Sequence, residues 1–114
     1  KVKRVLLCSG KMYFDLSEKQ IAEKRTDIAI VRLEQIYPLP YTQLNVLREK
    51  YKKAAWIWVQ EEPLNMGAAA FLKMNLQDFP ISILSRPASA ATATGFAKKH
   101  NQEQQQLIDA AFAE

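Results

Sequence analysis

Four short apolar runs recur along the chain, separated by more polar segments. The runs occupy residues 5–8, 28–33, 55–59 and 81–84. Their length and their content of β-branched and aromatic residues favour strands over helices. In the third run Trp56 and Trp58 alternate with aliphatic residues, so a period of two places both indoles on one face of a strand that is covered on both sides.

The segments between these runs predict helices. Residues 11–25 are rich in helix-forming side chains, with Leu16 and Ile21 as the expected apolar anchors. A second helix is expected between the second and third strands, a third over residues 65–77 and a last one after His100. One face of the last helix is traced by Gln104, Leu107, Ile108, Ala111 and Phe112. Strand and helix alternate throughout, which predicts an α/β fold with a largely parallel sheet and helices on both faces.

The composition fits a single domain over residues 1–114. Apolar residues make up 48% and charged residues 25% of the chain, as in ordinary soluble domains. No apolar run approaches the roughly 18 residues that a membrane span requires, so no membrane partner is expected. The single cysteine, Cys8, and the single histidine, His100, predict neither a disulfide nor a metal site, and Cys8 is expected to be a buried strand residue. A reducing, intracellular environment is therefore expected.

The net charge of +4 is distributed unevenly. Residues 1–57 contain 12 basic and 6 acidic side chains, whereas residues 58–114 contain 4 and 6. Such an asymmetry can indicate nucleic-acid binding. We expect no nucleic-acid partner, because the basic residues lack interleaved aromatic residues and fall mostly on predicted solvent-facing positions.

Ser9, Gly10 and Lys11 form the first candidate site. They follow the first predicted strand at the start of a helix, where backbone N–H groups and the helix dipole can bind an anion. Gly10 allows close approach of the backbone, and Lys11 adds a positive charge. The segment lacks the second glycine of a phosphate-binding P-loop, so a turn with a solvated lysine is the favoured alternative.

The second candidate region joins the end of the third strand to the segment after the fourth. Gln60, Glu61 and Glu62 follow the third run, at the edge where open parallel sheets bind ligands. Consecutive strand residues point to opposite faces, so the two carboxylates are poorly placed to act together as acid and base. Arg86 and Ser89 belong to a following loop that is rich in small residues. We expect an interface here rather than a catalytic site. Arg86 is expected to be exposed in the isolated domain and to pair with a carboxylate, either Glu61 or Glu62 or one across the interface.

Several blocks of the sequence resemble the C-terminal domain of 2-oxoglutarate dehydrogenase first components. The likeness runs in order through Arg4-Val-Leu-Leu-Cys-Ser-Gly-Lys11, residues 27–40, Trp58-Val-Gln-Glu-Glu-Pro-Leu-Asn-Met-Gly67 and Arg86-Pro-Ala-Ser-Ala-Ala-Thr-Ala-Thr-Gly95. The resemblance implies a transketolase C-terminal-like, three-layer α/β/α sandwich attached to larger domains. It also implies an enzyme that oxidatively decarboxylates 2-oxoglutarate and transfers the succinyl group to the lipoyl group of a second component.

The same resemblance implies thiamine diphosphate and Mg²⁺ as cofactors that other domains of the parent enzyme bind, with no cofactor and no catalytic residue in this chain. The implied partners are the other domains of the subunit, a second copy of the subunit and the lipoyl-bearing succinyltransferase component. The bacterial cytoplasm is the favoured location, with the mitochondrial matrix as the eukaryotic equivalent.

An effector site is a further implication of the resemblance. Some actinobacterial relatives use this domain in an acetyl-CoA regulatory site, and Lys11, Gln60 and Arg86 would be the matching donors. Those relatives carry two adjacent arginines where this chain has Arg86 followed by Pro87, so the sequence departs from that pattern.

Two alternative functions stay open. One is the equivalent domain of another thiamine-dependent 2-oxoacid dehydrogenase, because a fold alone does not set function. The other is a free-standing module that binds a phosphate-bearing ligand at Ser9, Gly10 and Lys11. An upstream coding region of several hundred residues with a thiamine motif would favour the dehydrogenase and exclude the free-standing module.

Overall fold

The computed structural model describes residues 2–34, 39–76, 81–86 and 97–113, and for residues 97–100 it describes the backbone alone. Four strands and four helices alternate along these residues, as the apolar pattern predicts. The elements are β1 (Arg4–Cys8), α1 (Lys11–Glu23), β2 (Ile28–Arg32), α2 (Tyr41–Lys50), β3 (Ala55–Pro63), α3 (Ala69–Asn75), β4 (Ile81–Arg86) and α4 (Ala97–Phe112).

The four strands form one sheet in the order β2-β1-β3-β4, and every pair of neighbours is parallel. Leu6 pairs with Ile30 of β2 on one side and with Ile57 of β3 on the other. The chain adds β2 on one side of β1 and β3 on the other, so the carboxyl ends of β1 and β3 flank the point where the strand order reverses. Open α/β sheets bind ligands at this position.

Two hydrophobic cores cover the two faces of the sheet, which confirms the three-layer α/β/α architecture. Side chains alternate along each strand, so Trp56 and Trp58 enter one core while Val59 enters the other. Both tryptophans are 2% exposed, as the period of two predicts. The tryptophan core is closed by leucines of α2 and α3, among them Leu44 and Leu72, and the opposite core is closed by α1 and α4.

Three expectations about the helices are wrong in detail. Helix α1 is anchored by Met12 and Leu16, whereas Ile21 is 76% exposed. Leu16 and Ile21 are five positions apart, which places them roughly 140° apart around the helix, while Met12 is one turn from Leu16. The third helix covers only Ala69–Asn75, because the chain before it turns at Gly67 with a φ of 71°. The last helix begins at Ala97, so it already includes His100.

Two arginines hold the end of α4 against the amino ends of β1 and β2. Arg4 donates from Nη1 to the carbonyl of Ala111 at 2.6 Å, and Arg25 donates from Nη1 to the carbonyl of Phe112 at 2.8 Å. Carbonyls at a helix C-terminus have no partner within the helix and carry its negative dipole end, so guanidinium groups suit them. Arg25 also hydrogen-bonds both carboxylate oxygens of Asp27, which lowers the pKa of Asp27 to about 2.

The burial of the two tryptophans gives a direct test of the sheet core. We expect Trp56→Ala and Trp58→Ala each to lower the free energy of unfolding of the 114-residue chain by about 3–5 kcal/mol, because each leaves a large cavity between sheet and helices. Val46→Ala on α2 is the control, since Val46 is 63% exposed and its truncation should change stability by less than about 0.5 kcal/mol. Denaturant titration measures all three, and tryptophan variants as stable as the control would contradict the core assignment.

Candidate functional site at the carboxyl edge of the sheet

The parallel sheet brings most of the sequence-predicted site residues to one edge. Ser9, Gly10 and Lys11 follow β1, Gln60 to Glu62 lie in the last part of β3, and Arg86 ends β4. Since β1, β3 and β4 are neighbours in this order, their carboxyl ends form a continuous row. Ser89 lies outside the described residues.

The predicted anion site at the start of α1 already contacts carboxylates of the chain itself. The backbone N–H of Gly10 donates to Oε2 of Glu34 at 3.4 Å. Lys11 Nζ lies 2.9 Å from Oδ2 of Asp15, one helical turn away. An external anion would therefore have to compete with two internal carboxylates.

The pKa shifts of these groups reflect the same contacts. A side-chain hydrogen bond from Arg32 lowers the pKa of Glu34, and the Gly10 N–H contributes in the same direction. A side-chain hydrogen bond to Asp15 raises the pKa of Lys11, and the nearby charge of Glu61 adds to this effect. The charge of Glu61 near the end of β3 thus acts on Lys11 at the start of α1, across the point where the strand order reverses.

Gln60 is the most extensively bonded side chain at this edge, and it is 2% exposed. Its Oε1 accepts hydrogen bonds from the indole N–H of Trp58 at 2.8 Å and from the backbone N–H of Ala69 at 3.1 Å. Its Nε2 donates to the carbonyls of Glu62 at 3.1 Å, Pro63 at 2.9 Å and Met66 at 2.8 Å. The amide is therefore engaged by β3 itself, the turn after it and the start of α3, so a ligand could recruit Gln60 only by breaking these bonds.

Gly67 completes the turn around Gln60. Its φ of 71° lies in the left-handed region that glycine adopts without strain. A Cβ at this position would lie 3.0 Å from Oε1 of Gln60 and 3.1 Å from Oε1 of Glu62. The absence of a side chain at Gly67 thus allows the turn to close over the Gln60 amide.

Arg86 occupies a break in the register between β3 and β4. Val59 pairs with Leu84 and Pro63 with Arg86, so residues 60–62 of β3 lie opposite Ser85 alone. Such a bulge removes backbone groups from the strand ladder. Arg86 Nε donates to the carbonyl of Glu61 at 2.7 Å, and Nη1 lies 3.5 Å from Oε1 of Glu103 on α4.

The expectation that Arg86 begins a loop and is exposed in the isolated domain is wrong. Arg86 is the last residue of β4 and is 6% exposed. The bulge explains this position, because the partly buried carbonyl of Glu61 lies outside the strand ladder and accepts its hydrogen bond from Arg86. Its guanidinium lies against the carboxylate of Glu103 on α4, a partner that the sequence pattern does not indicate.

Glu61 and Glu62 diverge at the end of β3. The side chain of Glu62 is exposed and has its Oε1 beside Gly67, on the same side as Gln60. Glu61 is only partly exposed, and its charge acts on Lys11 instead. This geometry favours separate contacts for the two carboxylates rather than joint action on one substrate.

Cys8 is a buried strand residue, as the apolar run predicts. Its side chain is 0% exposed, and Sγ lies 3.8 Å from the carbonyl of Val31. Burial raises the pKa of Cys8 to about 12, so the thiol stays protonated at neutral pH and is a poor nucleophile.

Comparison of the sequence with known proteins identifies its family. The family model described as "2-oxoglutarate dehydrogenase C-terminal" matches residues 1–112. The chain belongs to this family. It is 42% identical over 98% of its length to the "2-oxoglutarate dehydrogenase E1 component" of Haemophilus influenzae and 43% identical over 99% to that of Cupriavidus necator. It is also 43% identical over 98% to the "Multifunctional 2-oxoglutarate metabolism enzyme" of Mycolicibacterium vanbaalenii.

The chain spans only a small part of these relatives. It covers 13% of the Haemophilus influenzae protein, 12% of the Cupriavidus necator protein and 10% of the Mycolicibacterium vanbaalenii protein. The family domain is thus one part of much longer polypeptides in each of the three.

The described residues offer no Mg²⁺ site of their own. Among the side chains described in residues 2–34, 39–76, 81–86 and 101–113, no three histidine, cysteine or acidic residues are grouped so that they could hold a metal ion. We therefore assign no cofactor ligand and no catalytic step to the described side chains. In the same part of the chain, no helix is long and apolar enough to cross a membrane.

An aromatic cluster that the sequence pattern does not predict lies beside the predicted anion site. Arg32, at the end of β2, lies over the rings of Tyr13 and Phe14 in the first turns of α1. The predicted topology already implies that Arg32 lies near these rings, because the end of β2 and the start of α1 lie at the same edge whenever a parallel β-α-β unit forms. The apolar pattern of α1 did not reveal it, because Phe14 is an exposed residue.

The Gln60 amide provides the first test of this site. We expect Gln60→Ala to lower the free energy of unfolding by about 3 kcal/mol or more, because each buried polar group left without a partner costs about 1–3 kcal/mol. Gln60→Glu should also destabilise the chain, since it keeps the acceptor but replaces the donor that three carbonyls share. Gln43→Ala on α2, at an exposed position, is the control. If Gln60→Ala unfolds at the same denaturant concentration as Gln43→Ala, the amide does not organise the turn.

The Arg86 contacts provide the second test. We expect Arg86→Ala to destabilise the isolated 114-residue chain by about 1–3 kcal/mol, because it removes a charged donor from a partly buried carbonyl. Arg86→Lys should recover only part of the loss, since an ammonium lacks the planar guanidinium geometry. Lys52→Ala, at an exposed turn, is the control. Equal thermal midpoints for Arg86→Ala and Lys52→Ala would show that the bulge does not depend on Arg86.

Proposed function

We propose that this chain is the C-terminal domain of the E1 subunit of a 2-oxoglutarate dehydrogenase, in which it has a structural rather than a catalytic role. The assembled enzyme would oxidatively decarboxylate 2-oxoglutarate and transfer the succinyl group to the lipoyl group of the second component. The match of the family model to residues 1–112, together with about 42% identity to two named E1 components, carries the proposal. Thiamine diphosphate and Mg²⁺ would be bound by the other domains.

The carboxyl edge of the sheet is the proposed contact with those domains or with a second subunit. Glu62 is exposed there, Glu61 is partly exposed, and Arg86 fixes the backbone on which both are carried. Gln60 and Arg86 bond the backbone carbonyls of Glu62 and Glu61, so the two carboxylates are carried on a hydrogen-bonded bulge. Ser89 belongs to the same proposed interface, on the basis of the family resemblance.

Effector binding at Ser9, Gly10, Lys11, Gln60 and Arg86 is less well supported. Gln60 and Arg86 already bond backbone carbonyls inside the domain. Gly10 and Lys11 contact Glu34 and Asp15. The same contacts weigh against a free-standing phosphate-binding module. The names of the relatives favour 2-oxoglutarate over another 2-oxoacid as the substrate.

The proposed partners follow from the proposed enzyme. They are the remaining domains of the subunit, a second E1 subunit and the lipoyl-bearing succinyltransferase component. One relative, from Corynebacterium glutamicum, is named "2-oxoglutarate dehydrogenase E1/E2 component", a name that couples the two activities in that protein. The organisms of the relatives are bacterial, which supports the bacterial cytoplasm as the location.

The proposal is tested with the full-length polypeptide and with the 114-residue chain. We expect the full-length protein, supplied with thiamine diphosphate and Mg²⁺, to release CO₂ from 2-oxoglutarate and reduce an artificial electron acceptor. The 114-residue chain should show no turnover under the same conditions, because its described residues offer no set of cofactor ligands. Pyruvate and a branched-chain 2-oxoacid are the control substrates.

Each result has a distinct meaning. A full-length protein that prefers pyruvate or a branched-chain 2-oxoacid would favour the alternative dehydrogenases. Turnover by the 114-residue chain would contradict its structural role.

A further inference from the structure

Phe14 is an aromatic residue that the fold leaves at the surface. It lies in the first turns of α1, where 58% of it is exposed, while Met12 and Leu16 on the same helix are buried. Its ring centroid is 5.4 Å from that of Tyr13, at an interplanar angle of 81°, in a T-shaped contact. The ring is therefore exposed and yet oriented by its neighbour.

Arg32 fixes the two rings from the edge strand. Its guanidinium carbon lies 5.2 Å from the ring centroid of Tyr13 and 5.1 Å from that of Phe14. Glu34 holds the guanidinium by a hydrogen bond to Nε and also accepts the N–H of Gly10. We call this group the aromatic anchor; it consists of Tyr13, Phe14 and Arg32. Through Glu34 it is connected to the backbone at the start of α1.

An exposed apolar side chain alone requires no explanation. Ile21 and Met74 are 76% and 70% exposed, and single apolar residues are common on protein surfaces. The aromatic anchor differs because its rings are held in place before any partner binds, which lowers the entropy cost of association. Aromatic residues and arginine are also the side chains that dominate the energy of protein interfaces, usually inside a polar rim. The exposed carboxylate of Glu34 and the half-exposed Arg32 supply such a rim.

We infer that Phe14, as part of the aromatic anchor, inserts into an apolar pocket on the portion of the same polypeptide that lies outside these 114 residues. The inference rests on the proposed function, in which the chain is one domain of a long subunit. The chain covers no more than 13% of the named relatives, so most of each relative is available to form this contact. The anchor also adjoins the carboxyl edge that carries Lys11 and Glu61, which makes it continuous with the proposed interface.

A photo-crosslinking experiment on the full-length protein tests the inference. Phe14→p-benzoylphenylalanine places a photoreactive ring in the proposed pocket, and Ile21→p-benzoylphenylalanine, two turns along the same helix and more exposed, is the matched control. After irradiation, mass spectrometry of the digest identifies the crosslinked peptides. We expect position 14 to crosslink within one subunit to a residue outside the 114-residue chain, with a yield about tenfold or more above that of position 21.

Three outcomes would overturn the inference. The first is equal yields at positions 14 and 21, and the second is the absence of any crosslink at position 14. The third is a crosslink from position 14 to another subunit, visible as a doubled mass on a denaturing gel, because the occupant would then be a second copy.

The aromatic anchor and the proposed enzymatic function can fail separately. Turnover of 2-oxoglutarate is measured on the same unirradiated preparations. An active enzyme without the position 14 crosslink would contradict only the inference about the aromatic anchor. A crosslinked protein that turns over a different 2-oxoacid would contradict only the proposal that 2-oxoglutarate is the substrate.

The second measurement is amide hydrogen exchange of α1 in the full-length protein. Phe14→Ala should accelerate exchange in α1 by about tenfold or more, because truncation of an interface aromatic costs enough free energy to open the contact. Ile21→Ala should leave exchange within about twofold of the parent. Equal exchange rates in the two variants would count against the anchor even if a crosslink formed.

Discussion

The buried amide of Gln60 is the interaction on which the carboxyl edge of the sheet depends. A parallel sheet normally satisfies its backbone groups through regular ladders, but the bulge in β3 interrupts the ladder with β4. Gln60 supplies both donors and an acceptor at this point, because one planar amide reaches an indole, a backbone N–H and three carbonyls. A hydrocarbon side chain at this position would leave buried polar groups unpaired. Arg86 extends the same arrangement to the Glu61 carbonyl.

Much of the fold could be predicted from local patterns. Strand positions, the alternation of elements and the shared face of Trp56 and Trp58 follow from periodicity alone, since each strand is covered on both sides. The parallel order of the elements then predicts that residues following β1, β3 and β4 meet at one edge. These predictions depend only on residues near one another in sequence and on the short list of topologies that such elements allow.

The partners of the candidate residues could not be predicted in this way. Arg86 contacts Glu61 and Glu103, and Gly10 contacts Glu34, and each pairing depends on how distant segments pack. The bulge in β3 accounts for the burial of Arg86, and the residue types at positions 60–62 do not predict a bulge. Even in α1 the prediction of the buried residues is partly wrong. Ile21 is apolar like a core residue, but its angular position on the helix places it at the surface.

The contacts of Arg4 and Arg25 with the end of α4 have a consequence for the order of folding. They join residues separated by 107 and 87 positions in sequence, so they close nearly the whole chain into a loop. Contacts of such long sequence separation form slowly, because the chain must lose much of its conformational freedom before they form. During synthesis on the ribosome, β1 and β2 would exist before their last helix has been translated. The core face that contains Leu6 and Val59 would then stay open until α4 arrives, which makes the docking of this helix the step that completes the domain.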